Sequence, residues 1–218
     1  MATTEVSLVL RSFFPMQAKE RIIQAARNEF LRYGIRSVSM DDIAAQLGMS
    51  KKTIYQSFVD KEQLVDAVIE NEIAAMQRDC LSAIAHSRDA VDEIFITMKL
   101  SLEQIRNMNP VALHDLQKFH VGPYQRIKQH NQEFLLHLIA ANIDRGKQEG
   151  LYRKEVNAEV LSRFRLESLM VIFNPELFPP AHYNLVDTSR EIIEHYVYGL
   201  ATEKGQQLIE AYKQEIVK

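Results

Sequence analysis

An all-α fold is predicted by three observations. Apolar residues recur at helical spacing along the chain, no stretch shows the strict alternation of a half-buried strand, and seven glycines and six prolines in 218 residues fall below average usage. The hydrophobic content of 46% is ample for a core. The one cysteine, Cys80, excludes an internal disulfide and a Cys-based zinc site, and fits a reducing cytoplasm. Val6–Leu10 is apolar, but it is short, unpreceded by a basic region and interrupted by Arg11, so neither a membrane span nor a signal peptide is expected. Residues 1–15 are expected to be an extension, disordered or loosely docked.

The elements follow in order. Ile22, Ala26, Phe30 and Tyr33 mark an amphipathic helix over 17–33, which Gly34 ends as a C′ glycine. Ser39, with Asp42 three residues on, caps a short helix running to Leu47. Gly48 breaks the chain, Ser50 caps a third helix over 51–57, and Asp60 caps a fourth with Gln63 at its N3 position. Longer helices are predicted over 61–85, 89–107, 111–119, 123–149, 157–173, 187–201 and 205–216. Their breaks are Asn109-Pro110, Gly122-Pro123, Gly150 and the stretch from Asn174 to Pro180.

The pair of short helices is the informative part. Ile43, Ala44 and Leu47 line one face of the first, and Ile54 and Phe58 one face of the second, so both must lean on neighbours and leave a face free. That free face holds Lys51, Lys52, Tyr55 and Gln56. Two helices joined by a glycine turn, with a third behind, form a helix-turn-helix, whose second helix enters the DNA major groove with its N-terminal residues toward the bases. The bland alternative is a solvated surface on a structural three-helix unit.

Charge supports a nucleic-acid partner modestly. The chain carries −3, yet Lys19–Lys61 holds eight Lys or Arg against five acids, a local excess of +3.

Residues 19–65, KERIIQAARNEFLRYGIRSVSMDDIAAQLGMSKKTIYQSFVDKEQLV, resemble the DNA-binding domain of the TetR family of transcriptional regulators. The matching positions include Ile22, Ala26, Phe30, Gly34, Ser39, Ile43, Gly48, Ser50, Tyr55, Phe58, Lys61 and Leu64. The resemblance implies a helix-turn-helix domain over 16–62 and a larger helical ligand-binding and dimerisation domain over 63–218. It also implies phosphate contacts from Tyr55, Lys61 and Ser39, and base reading around Ser50, Lys51, Lys52, Gln56 and Ser57. Many members carry Gly or Pro where Lys52 stands, and an aromatic or His in place of Gln56 or Ser57, so operator sequence does not carry over. By chemistry, lysine donates to guanine and glutamine pairs with adenine, making Lys52 and Gln56 the base-reading candidates and Lys51 and Lys61 the phosphate candidates.

The family precedent further implies a homodimer on a near-palindromic DNA operator and an unknown small-molecule effector, which the apolar candidates below suggest is hydrophobic and which is expected to release the dimer. With no visible activation domain, such a dimer is expected to act as a repressor by occluding a promoter. The dimer candidates are Val160, Phe164, Val171, Ile192, Ile193, Tyr196, Val197 and Leu200, which periodicity alone assigns equally well to the monomer's own core. The ligand-pocket candidates are Phe95, Met98, Leu102, His114, Phe119, His120, Tyr124, Phe164 and Phe173, though such a stripe is more often core than pocket. Arg106 and Arg165 read as surface charges, with an anionic ligand the other reading. The fourth helix is the expected lever, with Ile73, Met76 and Leu81 packed into the larger domain.

No enzyme motif emerges. P-loop, dinucleotide turn, nucleophile elbow and HExxH are all missing, and none of the seven histidines has Glu three residues before it. No catalytic residue, cofactor or metal site is assigned. His130, Glu133 and His137 share a helix face and read as solvated.

Overall fold

The computed structural model describes residues 2–106 and 108–216, with side chains over 18–106 and 108–215. Among these the chain forms eleven α-helices and one π-helical segment, and its only β pairing is a single bridge between Tyr152 and Ala201. The helices are α1 (Ala2–Tyr33), α2 (Met40–Leu47), α3 (Lys51–Ser57), α4 (Lys61–His86), α5 (Ala90–Arg106), α6 (Pro110–Phe119), α7 (Val121–His130), α8 (Leu136–Gln148), α9 (Ala158–Val171), α10 (Leu185–Leu200) and α11 (Glu203–Ile216). The backbone of the expected N-terminal extension continues α1 back to Ala2, and its side chains lie outside the described residues. So does Asn107, where the predicted fifth helix was to end.

Two predicted helix boundaries differ. The break foreseen at Gly122-Pro123 falls at His120, and Pro123 sits in the first turn of α7, where a missing N–H costs no helical bond. The single helix predicted over 123–149 carries a π segment, Asn131–Leu135, between α7 and α8. This segment shifts the helical register. As a result His130 is buried and stacked on Phe134, with ring centres 5.1 Å apart, while His137 Nδ1 meets the Glu133 carbonyl at 2.7 Å. The His130, Glu133, His137 trio therefore does not form the solvated face read from sequence.

The chain divides into two compact units, Met1–Ile73 with Met108–Ile127, and Ala74–Asn107 with Lys128–Lys218. The first unit packs Ile22, Ala26 and Phe30 of α1 against Ile43, Ile54, Phe58, Leu64 and Leu116. Ile22, Ile43, Ile54 and Leu64 are fully buried, each contributing about 1.5–3 kcal/mol. The second unit centres on α5, α8, α10 and α11. Tyr152 is fully buried there, its hydroxyl donating to Ala90 O at 2.9 Å. Its ring lies against Gly146, where an added Cβ would approach Cδ2 to 2.0 Å, so only glycine fits that turn of α8. Arg88 closes the unit by pairing with Asp92 and Glu215, both at 2.9 Å.

Candidate nucleic-acid interface

Local hydrogen bonding builds the two short helices. Ser39 N donates to Asp42 Oδ2 at 2.8 Å and Ser39 Oγ accepts from Asp42 N at 3.1 Å, a reciprocal capping box that holds Asp42 below the usual carboxylate range. Gly48 ends α2 at φ 61°, a left-handed conformation that glycine adopts without a Cβ penalty. Ser50 Oγ then accepts from Thr53 N at 3.1 Å and starts α3. Ile54 and Phe58 are buried, which turns Lys51, Lys52, Tyr55 and Gln56 outward. At the entry to α4, Gln63 N donates to Asp60 Oδ1 at 2.8 Å, and its side chain returns to accept from Val59 N.

The outward residues are not equivalent. Lys52 and Gln56 are exposed and, among the described residues, make no side-chain hydrogen bond or ion pair. Tyr55 is 49% exposed. Lys51 Nζ instead holds Asp41 Oδ2 at 2.5 Å, a bond that raises the lysine pKa and ties the start of α3 to α2. Lys61 is partly buried, with Nζ 3.3 Å from Arg36 O and 6.0 Å from the Phe30 ring centre, and burial pushes its pKa down. Ser57 is partly buried, with Oγ donating to Thr53 O at 3.3 Å. Ser39 Oγ is engaged by Asp42 at 2.6 Å. Only part of the sequence-predicted set is thus free to meet a ligand.

A support that sequence reading missed lies on α6. Asp115, 4% exposed, accepts the Arg36 N–H at 2.8 Å with Oδ2. Asn109 N donates to Leu31 O at 2.8 Å and its Nδ2 to Arg32 O at 3.2 Å. A Cβ on Gly34, whose φ is 85°, would meet Val111 Cγ1 at 3.0 Å. These contacts pin the turn between α1 and α2. The start of α7 is docked too, through Arg126 on Asp66 at 3.3 Å and Glu70 at 2.6 Å.

A three-helix unit whose second short helix presents an unpaired lysine, a glutamine and a tyrosine beside a serine-capped N-terminus defines a helix-turn-helix DNA-binding protein. Residues 22–68 match the model of the bacterial regulatory proteins of the tetR family. Over these residues the chain carries a TetR-type helix-turn-helix domain. It is similar to the uncharacterised HTH-type transcriptional regulator YvaF of Bacillus subtilis, 29% identical over 74% of this chain and 82% of the relative. It is also similar to the HTH-type transcriptional repressor KstR2 of Rhodococcus jostii, 21% identical over 84% of this chain and 91% of that one. Its fold matches a solved transcriptional regulator from Saccharomonospora viridis, in complex with choline, with TM-score 0.72 and 17% identity over 86% of this chain and all of that one (100%).

The ligand-pocket candidates do not gather in one unit. His114, Phe119, His120 and Tyr124 belong to the first unit, because α6 and the start of α7 fold back onto the N-terminal helices. His114 is exposed, His120 is bonded through Nδ1 to Glu62, Tyr124 packs against the first core, and Phe119 is exposed beneath the Arg36 guanidinium at 4.9 Å. Phe95, Met98 and Leu102 are buried in the second core, and Phe173 is partly buried. The lever residues also differ from expectation. Ile73 packs on the first core, and Leu81 is 53% exposed.

The dimer candidates split as well. Ile193, Tyr196, Val197 and Leu200 are buried in the second unit's own core, since α10 turns that face toward α5. Val160 and Phe164 are 58% and 55% exposed, with Val171 and Ile192 partly buried. An open groove of about 500 Å³ runs between α9 and α10, lined by Phe164, Ser168, Val171 and Ile192 with Glu167, Glu191 and His195 around them. Among the described residues no helix is long and apolar enough to cross a membrane.

Proposed function

We propose that this regulator is a homodimeric repressor that binds a near-palindromic DNA operator and leaves it when a small, largely hydrophobic effector binds the second unit. The observation that carries the reading is the exposed face of α3, where Lys52 and Gln56 stand without internal partners beside Tyr55. Lys52 and Gln56 read base edges, while Tyr55, Lys51 and Lys61 hold phosphates, with Ser39, Ser50 and Ser57 flanking them.

One reading head contacts too little DNA for strong specificity, so a second copy is required. The exposed apolar residues of the α9–α10 groove supply the dimer face, placing two α3 helices in successive major grooves about 34–36 Å apart. Repression is the simplest outcome for such a dimer, and the Rhodococcus relative carries the name of a repressor. Effector control is supported by the Saccharomonospora structure, a regulator of this fold holding a small molecule.

Release requires the effector to prefer the DNA-incompetent arrangement, because equal affinity shifts nothing. A coupling of about 1–3 kcal/mol weakens operator binding roughly 5- to 150-fold. The lever is α4, continuous from Lys61 to His86.

Selection of binding sites from a randomised duplex pool at two salt concentrations, followed by sedimentation of protein with and without the selected site, tests the reading. A two-fold symmetric site bound by a dimer is expected. A protein that remains monomeric on DNA at micromolar concentration, or transcripts of neighbouring genes that fall when the chain is deleted, would overturn it.

A further inference from the structure

A guanidinium in the second unit meets no acid among the described residues. Arg165, on α9, lies with Cζ 5.5 Å from the centre of the Tyr196 ring on α10. Among the described residues its side chain makes one hydrogen bond, to Ser168 Oγ at 3.2 Å. That hydroxyl donates in turn to Arg165 O at 2.7 Å, so it offers the guanidinium a lone pair and no charge. Tyr196 is 6% exposed and belongs to the second core, yet its hydroxyl oxygen is buried without a hydrogen-bond partner.

The residue Arg165 keeps some solvent contact, but its surroundings are dense. Burial pushes the guanidinium down to about 10 and pushes the Tyr196 hydroxyl up. The sequence reading of Arg165 as a surface charge is thereby corrected: helical phase turns it toward the α10 ring, while its neighbour Phe164 faces out. Arg106 is exposed, as read.

A guanidinium and a phenol side by side, with donors unspent and no ion pair to a carboxylate among the described residues, complement an oxyanion. Buried charges are ordinarily paired, so the missing acceptor has to come from outside the chain. Glu167 and Glu191 line the outer groove, whereas Tyr196 is part of the unit's interior.

We propose that Arg165 and Tyr196 anchor the carboxylate of a small amphipathic ligand whose apolar body packs against the core of the second unit. This rests on the effector reading above and names the effector's chemical class. Arg165 supplies charge and a planar fork, and the Tyr196 hydroxyl donates the hydrogen bond it lacks.

The test uses the full-length protein, titrated calorimetrically with octanoate and dodecanoate and with the alcohols of equal chain length. Carboxylates are expected to bind at least about tenfold more tightly than alcohols, Arg165→Met to bring the two classes to parity, and Tyr196→Phe to weaken carboxylates alone. Without added ligand, Arg165→Met is expected to unfold at a temperature no lower than the parent, since it removes a largely enclosed charge that meets no acid among the described residues. Parity in the parent protein overturns the anchor and leaves the effector reading standing, whereas no binding of either class overturns both. An Arg165→Met variant that melts early or sediments as a monomer assigns the residue to the fold or to an acid of a second copy, and also overturns the anchor.

Discussion

Asp115 Oδ2 accepts the backbone N–H of Arg36 at 2.8 Å, so that α6 holds the turn through which α1 reaches the helix-turn-helix. The bond bridges 79 positions of sequence and is part-buried, with Asp115 4% exposed. Replacing Asp115 with Ala removes the partner of a part-buried N–H, with an expected cost of about 0.5–1.5 kcal/mol. Urea unfolding midpoints check the loss. Operator affinity should fall with it, and an Asp115→Ala protein of parental stability and affinity would show the bond to be idle.

Lys52 and Gln56 should behave differently from Tyr55. Lys52→Ala or Gln56→Ala is expected to relax preference at one operator position by about 1–3 kcal/mol, while Tyr55→Phe weakens all sites alike. Lys51 must leave its bond to Asp41 to hold a phosphate, so Asp41→Asn should remove that competitor and strengthen binding to random duplex. Competition assays over a set of single-base operator variants, repeated at two salt concentrations, separate these effects.

The α9–α10 face makes a paired prediction. Phe164→Glu is expected to give a folded monomer with weakened operator binding, because Phe164 is more than half exposed. Leu200→Ala is expected to destabilise the unit by about 2–5 kcal/mol, because Leu200 is fully buried in its core. Sedimentation distinguishes the first outcome, thermal unfolding the second.

His130 predicts a pH dependence. Burial lowers its pKa from the ordinary 6.5, so the folded state favours the neutral ring. The unfolded chain therefore binds the proton first, and stability is full above about 6.5 and declines as pH falls through and below that value. His130→Phe should flatten this decline between about pH 6.5 and 5, a window in which Asp and Glu side chains with ordinary pKa remain largely ionised. Urea midpoints at pH 7.5 and 5.5 for both proteins measure it.

The helix-turn-helix was legible in the sequence because its determinants are local. Ser39 with Asp42, Gly48, and Ser50 with Thr53 act over three residues or fewer, and helical spacing alone buries Ile43, Ile54 and Phe58. The all-α class was legible for the same reason. What the sequence could not determine was which groups on those helices find partners across the fold. Lys51 looks free until Asp41 is placed beside it, ten residues back. Asp115 has no local signature, since its partner lies far upstream in the turn between α1 and α2. Periodicity marked Ile193, Val197 and Leu200 as apolar, but only packing against α5 decided that they serve their own core while Val160 and Phe164 face outward. Arg165 is the sharpest case, because burial of a charge depends on what the surrounding helices leave unfilled or unpaired, and a helical period carries the direction of a side chain without the chemistry that awaits it.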